Sequence, residues 1–141
     1  MRRKVRTRGG ATMEFALWLP ILAILVGGVT DLGWYLSRYQ DIARAARDGA
    51  RVGSTVLEDQ TASRGSQIEA AATTQALQVL DDLGLTCGQT DRCTVTARYD
   101  DSTGHPAIVV TVTYPFEPLV GMFPMPHTLA AQFTMMTQQS W

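Results

Sequence analysis

The feature that most constrains this chain is a run without a single charge, residues 15–30 (FALWLPILAILVGGVT). Extending it to Leu36 adds only one carboxylate, Asp31. A helix over residues 13–36 would be about 36 Å long at 1.5 Å per residue. That length crosses a hydrocarbon core about 30 Å thick. Trp18 near one end and Trp34 with Tyr35 near the other suit the two aromatic belts at a membrane surface. The segment is expected to span a bilayer once.

Charge gives the span a direction. Arg2, Arg3, Lys4, Arg6 and Arg8 precede it with no acid among them, whereas the rest of the chain carries seven bases against all 13 acids. Cations concentrated just before a span put that end in the cytoplasm, so everything after Leu36 is expected outside the membrane. A composition of 45% hydrophobic and 18% charged residues excludes a disordered tail and a basic nucleic-acid-binding domain. A cleavable secretory signal shares the basic leader and apolar core. Residues 27–31 (GGVTD), however, offer no small-x-small site, and a retained anchor is the expectation.

The entrance to the span carries a more specific pattern, Gly9-Gly10-Ala11-Thr12-Met13-Glu14-Phe15. A carboxylate there is costly, by roughly 2.5–3.5 kcal/mol at mid-bilayer and less near the interface. The positive end of a helix dipole offsets part of that cost. Cutting after Gly9 would remove all five leader cations and create a cationic α-amine at Gly10. That amine could pair with the Glu14 carboxylate of its own or a neighbouring chain, since an unpaired carboxylate in low dielectric is costly.

The pattern resembles type IV prepilins, which are cut after a glycine and carry glutamate as the fifth mature residue. More narrowly, Arg8-Gly9 followed by Glu14-Phe15-Ala16-Leu17 and Pro20, with Asp31-Leu32-Gly33 at the far end of the apolar run, resembles the TadE-like pseudopilins of tight-adherence (Flp) pilus systems. A weaker likeness continues at Val110-Thr111-Val112-Thr113-Tyr114-Pro115-Phe116. The resemblance implies a minor pseudopilin processed by prepilin peptidase between Gly9 and Gly10, with Glu14 as the assembly carboxylate. It also implies other pilin and pseudopilin subunits, an inner-membrane assembly platform and the lipid bilayer as partners, and no nucleic acid. At 141 residues the chain is long for a major filament subunit of that kind, which again points to a minor role.

Within the span, Pro20 deletes one helix hydrogen bond and is expected to kink it. Ala23-x-x-x-Gly27 is a small-x-x-x-small pair of the kind that lets a second helix approach.

Beyond the membrane the helical period continues through Leu32, Tyr35, Leu36, Tyr39, Ile42, Ala43, Ala46, Ala50 and Gly53. Asp41 with Arg44 and Asp48 with Arg51 are spaced as ion pairs on the opposite face. A polar loop is expected at residues 58–65, then a second amphipathic helix through Ile68, Ala72, Ala76, Val79, Leu80 and Leu83, closed by Gly84. The period then becomes two. Apolar residues alternate at Cys93, Val95, Ala97 and Tyr99, at Ile108, Val110, Val112 and Tyr114, and at Leu129, Ala131, Phe133 and Met135. The expected fold is α+β: a long transmembrane helix continuing into an amphipathic one, packed with a second helix on a small three-stranded antiparallel sheet, pilin-like. Its expected parts are a leader at 1–9, a transmembrane helix at 10–36, an extension at 37–58 and an extracytoplasmic α+β domain at 59–141.

Cys87 and Cys93 enclose five residues. Metal binding usually needs a tighter pair and further ligands, whereas an extracytoplasmic location favours a disulfide. His105 and His127 each adjoin a proline in a turn or loop and are expected at the surface. Neither a phosphate loop, a nucleophile elbow nor a zinc-protease motif occurs. No catalytic residue, metal or cofactor is expected, and the chain is not expected to be an enzyme. The function expected is that of a minor pseudopilin in the bacterial inner membrane, acting in assembly or initiation of a tight-adherence pilus. The alternative is a single-pass membrane-anchored extracytoplasmic binding protein unrelated to pili.

Overall fold

A computed structural model describes residues 10–56, 64–87, 93–101, 105–121 and 123–137. Two helices and three strands follow in the order α1 (Gly10–Ser54), α2 (Arg64–Asp82), β1 (Thr94–Asp100), β2 (Ala107–Pro115) and β3 (Thr128–Met136). The strands form one antiparallel sheet, β1-β2-β3, with Val95 opposite Val112 and Val110 opposite Phe133. This is the α+β arrangement that the change of period from helical to two implies.

Alternation decides which face of the sheet is covered. Ile108, Val110 and Val112 of β2, with Leu129 and Ala131 of β3, are buried on one face. Thr94, Thr96 and Arg98 of β1 and Ala130, Gln132 and Thr134 of β3 face outward. Both helices pack on the apolar face, completing the core with Ile42, Ala45, Ala46 and Ala50 from α1 and Ile68, Ala72, Ala76 and Leu80 from α2.

The end of α2 shows sequence becoming geometry directly. Gly84 takes φ +71°, a conformation that costs side-chain-bearing residues but not glycine. The turn lets Leu85 N–H donate to Leu80 C=O at 2.8 Å and Gly84 N–H to Asp81 C=O at 2.9 Å. These are the paired bonds of a Schellman cap, with buried Leu80 and Leu85 supplying its apolar contact. At the other end α2 already includes Arg64 and Gly65, which the polarity of 58–65 had assigned to a loop. Residues 57–63 lie outside the described residues.

α1 is one helix of 45 residues, about 68 Å long, with Pro20 inside it. Its buried stripe differs from the expected one. Leu32, Leu36 and Tyr39 are exposed, whereas Asp31, Ile42, Ala45, Ala46, Gly49, Ala50 and Gly53 are buried. The stripe follows the partners α1 meets, α2 and the sheet, and these cover a face rotated from the one with the largest side chains. The ion pairs also differ from the expected ones: Arg38 pairs with Asp41 and Arg44 with Asp48, each at 3.8 Å. Arg38 also lies over the Trp34 ring, 4.3 Å from its centroid. Partly exposed pairs of this kind contribute about 1 kcal/mol or less.

Cys87 and Cys93 form a disulfide with Cα atoms 5.3 Å apart. It ties the segment after α2 to the start of β1. Closing so short a loop contributes roughly 2 kcal/mol in the chain-entropy account.

Candidate functional site

The processing glycine of the motif, Gly9, lies outside the described residues. Gly10 is the first residue of α1. Glu14 lies one turn into that helix and is exposed, as are residues 12–26 throughout. Met13, Leu17, Trp18, Leu22 and Leu25 therefore present bare apolar surface around the whole circumference of the helix. Surface of this extent is not stable in water and calls for a lipid or protein environment. α1 is long and apolar enough to cross a membrane and fits a single-pass anchor. Pro20 sits within this exposed half, and Ala23 is exposed whereas Gly27 is buried.

Within the chain, α1 and α2 approach closely at two other glycines. A Cβ on Gly49 would sit 2.8 Å from the Ala72 carbonyl oxygen and 3.0 Å from the Ala76 Cβ. One on Gly53 would lie 2.9 Å from the Ala72 Cβ. The small-residue pair that brings two helices of this chain together is thus Gly49-x-x-x-Gly53 facing Ala72-x-x-x-Ala76, not the pair at Ala23 and Gly27.

At the boundary between the bare and the packed halves of α1 stands Asp31. It is fully buried, and its carboxylate accepts the backbone N–H of Val120 at 2.8 Å and of Gly121 at 3.0 Å. These donors belong to the connection between β2 and β3. The base of that connection is closed by Phe116 N–H donating to His127 C=O at 2.8 Å and by Tyr35 meeting the Phe116 ring edge-on, centroids 5.3 Å apart. One turn earlier on α1, Gly28 meets the Phe123 ring so closely that a Cβ there would lie 2.6 Å from Phe123 Cε2. The loop is therefore clamped to α1 at two levels: aromatic ring on glycine, and peptide N–H groups on carboxylate. Charge-assisted bonds to a carboxylate are among the stronger hydrogen bonds, contributing roughly 1.5–3 kcal/mol each.

Sequence reasoning identified Asp31 as the lone carboxylate in the apolar run and as part of Asp31-Leu32-Gly33, but assigned it no partner. The signal available was the mismatch itself, a charge that must be satisfied if the run is apolar. Among the described residues no group of three or more His, Cys, Asp or Glu side chains is placed to hold a metal ion. His105 and His127 are both exposed.

No curated protein and no solved structure gives a significant match to this chain. Residues 9–51, from the glycine of the motif to near the end of α1, match the family model described as TadE-like protein.

Proposed function

We propose that this chain is a pseudopilin of a tight-adherence (Flp) pilus system. In this reading prepilin peptidase removes residues 1–9, and the chain beginning at Gly10 acts as a minor subunit in assembly or initiation. α1 holds it in the bacterial inner membrane, N-terminus inward, with the α+β domain outside. The reading assigns no catalytic step to the protein itself. Its partners are the peptidase, other pilin and pseudopilin subunits and the assembly platform.

The observation that carries it is the TadE-like match, which begins at residue 9, together with Glu14, which projects from an otherwise apolar, exposed helix. An exposed carboxylate at the edge of the hydrocarbon is costly unless a cation meets it, and the α-amine created at Gly10 would be that cation.

The N-terminal sequence of the mature protein recovered from host membranes tests the processing step. It is expected to start at Gly10, and Gly9→Leu is expected to leave the leader attached. A start beyond Thr30 would identify a signal peptide and overturn the reading. A start at Met1 in a host with active peptidase would favour the plain membrane-anchored binding protein.

Glu14→Ala separates anchoring from assembly. The variant is expected to insert and to fold its domain normally, because Glu14 is remote from the core. Stranding one member of an ion pair in low dielectric costs about 3 kcal/mol or more, so pilus number per cell, counted by electron microscopy, is expected to fall by roughly a hundredfold. Normal piliation would remove Glu14 from the assembly role.

A further inference from the structure

We infer that the connection between β2 and β3 is a lipid-embedded wedge: residues 118–121 and 123–126 enter the acyl-chain layer of the outer leaflet beside α1. The inference rests on the reading of α1 as a membrane anchor.

Depth is the first argument. If the hydrocarbon begins where the uncharged run begins, at Phe15, a core about 30 Å thick ends some 20 residues later, near Tyr35. Gly28, on which the Phe123 ring rests, then lies about 10 Å below the outer surface of that core. Asp31 and the Val120–Gly121 peptide it binds lie about 6 Å below it. The loop is thus held against a stretch of helix that is itself within the membrane.

Composition is the second. Residues 118–126 (PLVGMFPMP) contain no charged, hydroxyl or amide side chain. Leu119 is 61% exposed, Val120 50% and Phe123 44%. With Ile24 and Leu25 of α1, Phe123, Pro124 and Met125 line an apolar groove continuous with the bare surface of the anchor. Water would find nothing here to solvate except peptide groups.

Those peptide groups supply the third argument. Irregular backbone survives at membrane depth only where its polar groups are satisfied within the protein. Pro118, Pro124 and Pro126 have no N–H to satisfy, and the N–H groups of Val120 and Gly121 are both taken by Asp31. A buried carboxylate that accepts two peptide donors meets that requirement for Val120 and Gly121. Asp31 is the positioning residue of the wedge, and acyl chains are its occupant.

Spin labels at three exposed positions test this in the full-length protein, reconstituted into vesicles of phosphatidylethanolamine and phosphatidylglycerol. The native cysteines are joined to each other, so a single introduced cysteine is labelled specifically. Leu22→Cys reports on the anchor, Leu119→Cys on the loop and Arg98→Cys on the outward face of β1. Collision with dissolved oxygen, against collision with a water-soluble nickel chelate, is read for each. The label at 119 is expected to resemble that at 22, its oxygen-to-nickel ratio severalfold above that at 98. A water-accessible label at 119 with a lipid-exposed label at 22 would overturn the wedge while leaving the anchor intact. Water access at both would overturn the anchor and the wedge together. A label at 119 shielded from both reagents would mean that polypeptide covers the loop, which also overturns the inference.

Discussion

Replacing Gly49 by valine is expected to lower the Tm of the α+β domain by more than about 10 °C. The Cβ alone would stand 2.8 Å from the Ala72 carbonyl oxygen and 3.0 Å from the Ala76 Cβ. Neither neighbour can rotate away, because one is backbone and the other is a methyl fixed to a helix. The two helices must part, and parting them loosens Ile68, Ala72 and Ala76 against Ala45, Ala46 and Ala50, all fully buried. Overpacking of this kind costs about 3 kcal/mol, and each kcal/mol moves the Tm of a domain this size by roughly 4–8 °C. Gly33→Ala is the matched control. A Cβ at Gly33 meets nothing within 4 Å, and alanine is the better helix former by about 1 kcal/mol, so its Tm is expected to hold or rise. Thermal unfolding in detergent micelles, followed by circular dichroism, reads both. Equal Tm values for Gly49→Val and the parent would mean that α1 and α2 separate without cost.

The second large effect is expected from Asp31→Asn, a change that keeps size and removes charge. The carboxylate accepts two peptide N–H groups at once, one on each oxygen. An asparagine side chain can accept through one oxygen only and turns an NH2 group toward the other donor. One buried bond is lost and the remaining one weakens from charge-assisted to neutral, a combined cost of about 2.7 kcal/mol. Amide hydrogen exchange at Val120 and Gly121 is therefore expected to quicken roughly a hundredfold. Val110 and Val112, in the centre of the sheet and fully buried, are expected to keep their protection. Unchanged exchange at both loop amides would show that the clamp is held by Phe123 on Gly28 and not by Asp31.

These two sites differ in how visible they were in the sequence. The stripe Ala46, Ala50 and Gly53 was legible because a helical face repeats every three or four residues. Gly49 belongs to the same face, yet glycine carries no apolar side chain for a periodicity argument to register. The pair Ala23-x-x-x-Gly27 has the same local pattern as Gly49-x-x-x-Gly53, and nothing local says which of them meets α2. Asp31 and its donors are 89 and 90 residues apart. A contact across such a distance leaves no repeat to read, only the anomaly of a carboxylate inside an apolar run. The change of helix stripe, from Leu32, Leu36 and Tyr39 to Asp31, Ala45 and Gly49, has the same origin, since the largest side chains of that segment face away from the domain.

Elements whose logic is local were fully determined by the order of residues. An apolar run long enough to span a bilayer, preceded by five cations, needs no partner to be recognised. The alternation along each strand, the glycine that ends α2 and the cysteine pair close in sequence are likewise complete within a few residues of chain. The tertiary structure alone decided which face of α1 is covered, where two helices touch backbone to backbone, and that the β2–β3 connection folds back onto α1. Periodicity and charge are properties of neighbours along the chain, whereas the choice of a partner for each face is settled only when distant segments compete to bury the same apolar surface and to satisfy the same buried carboxylate.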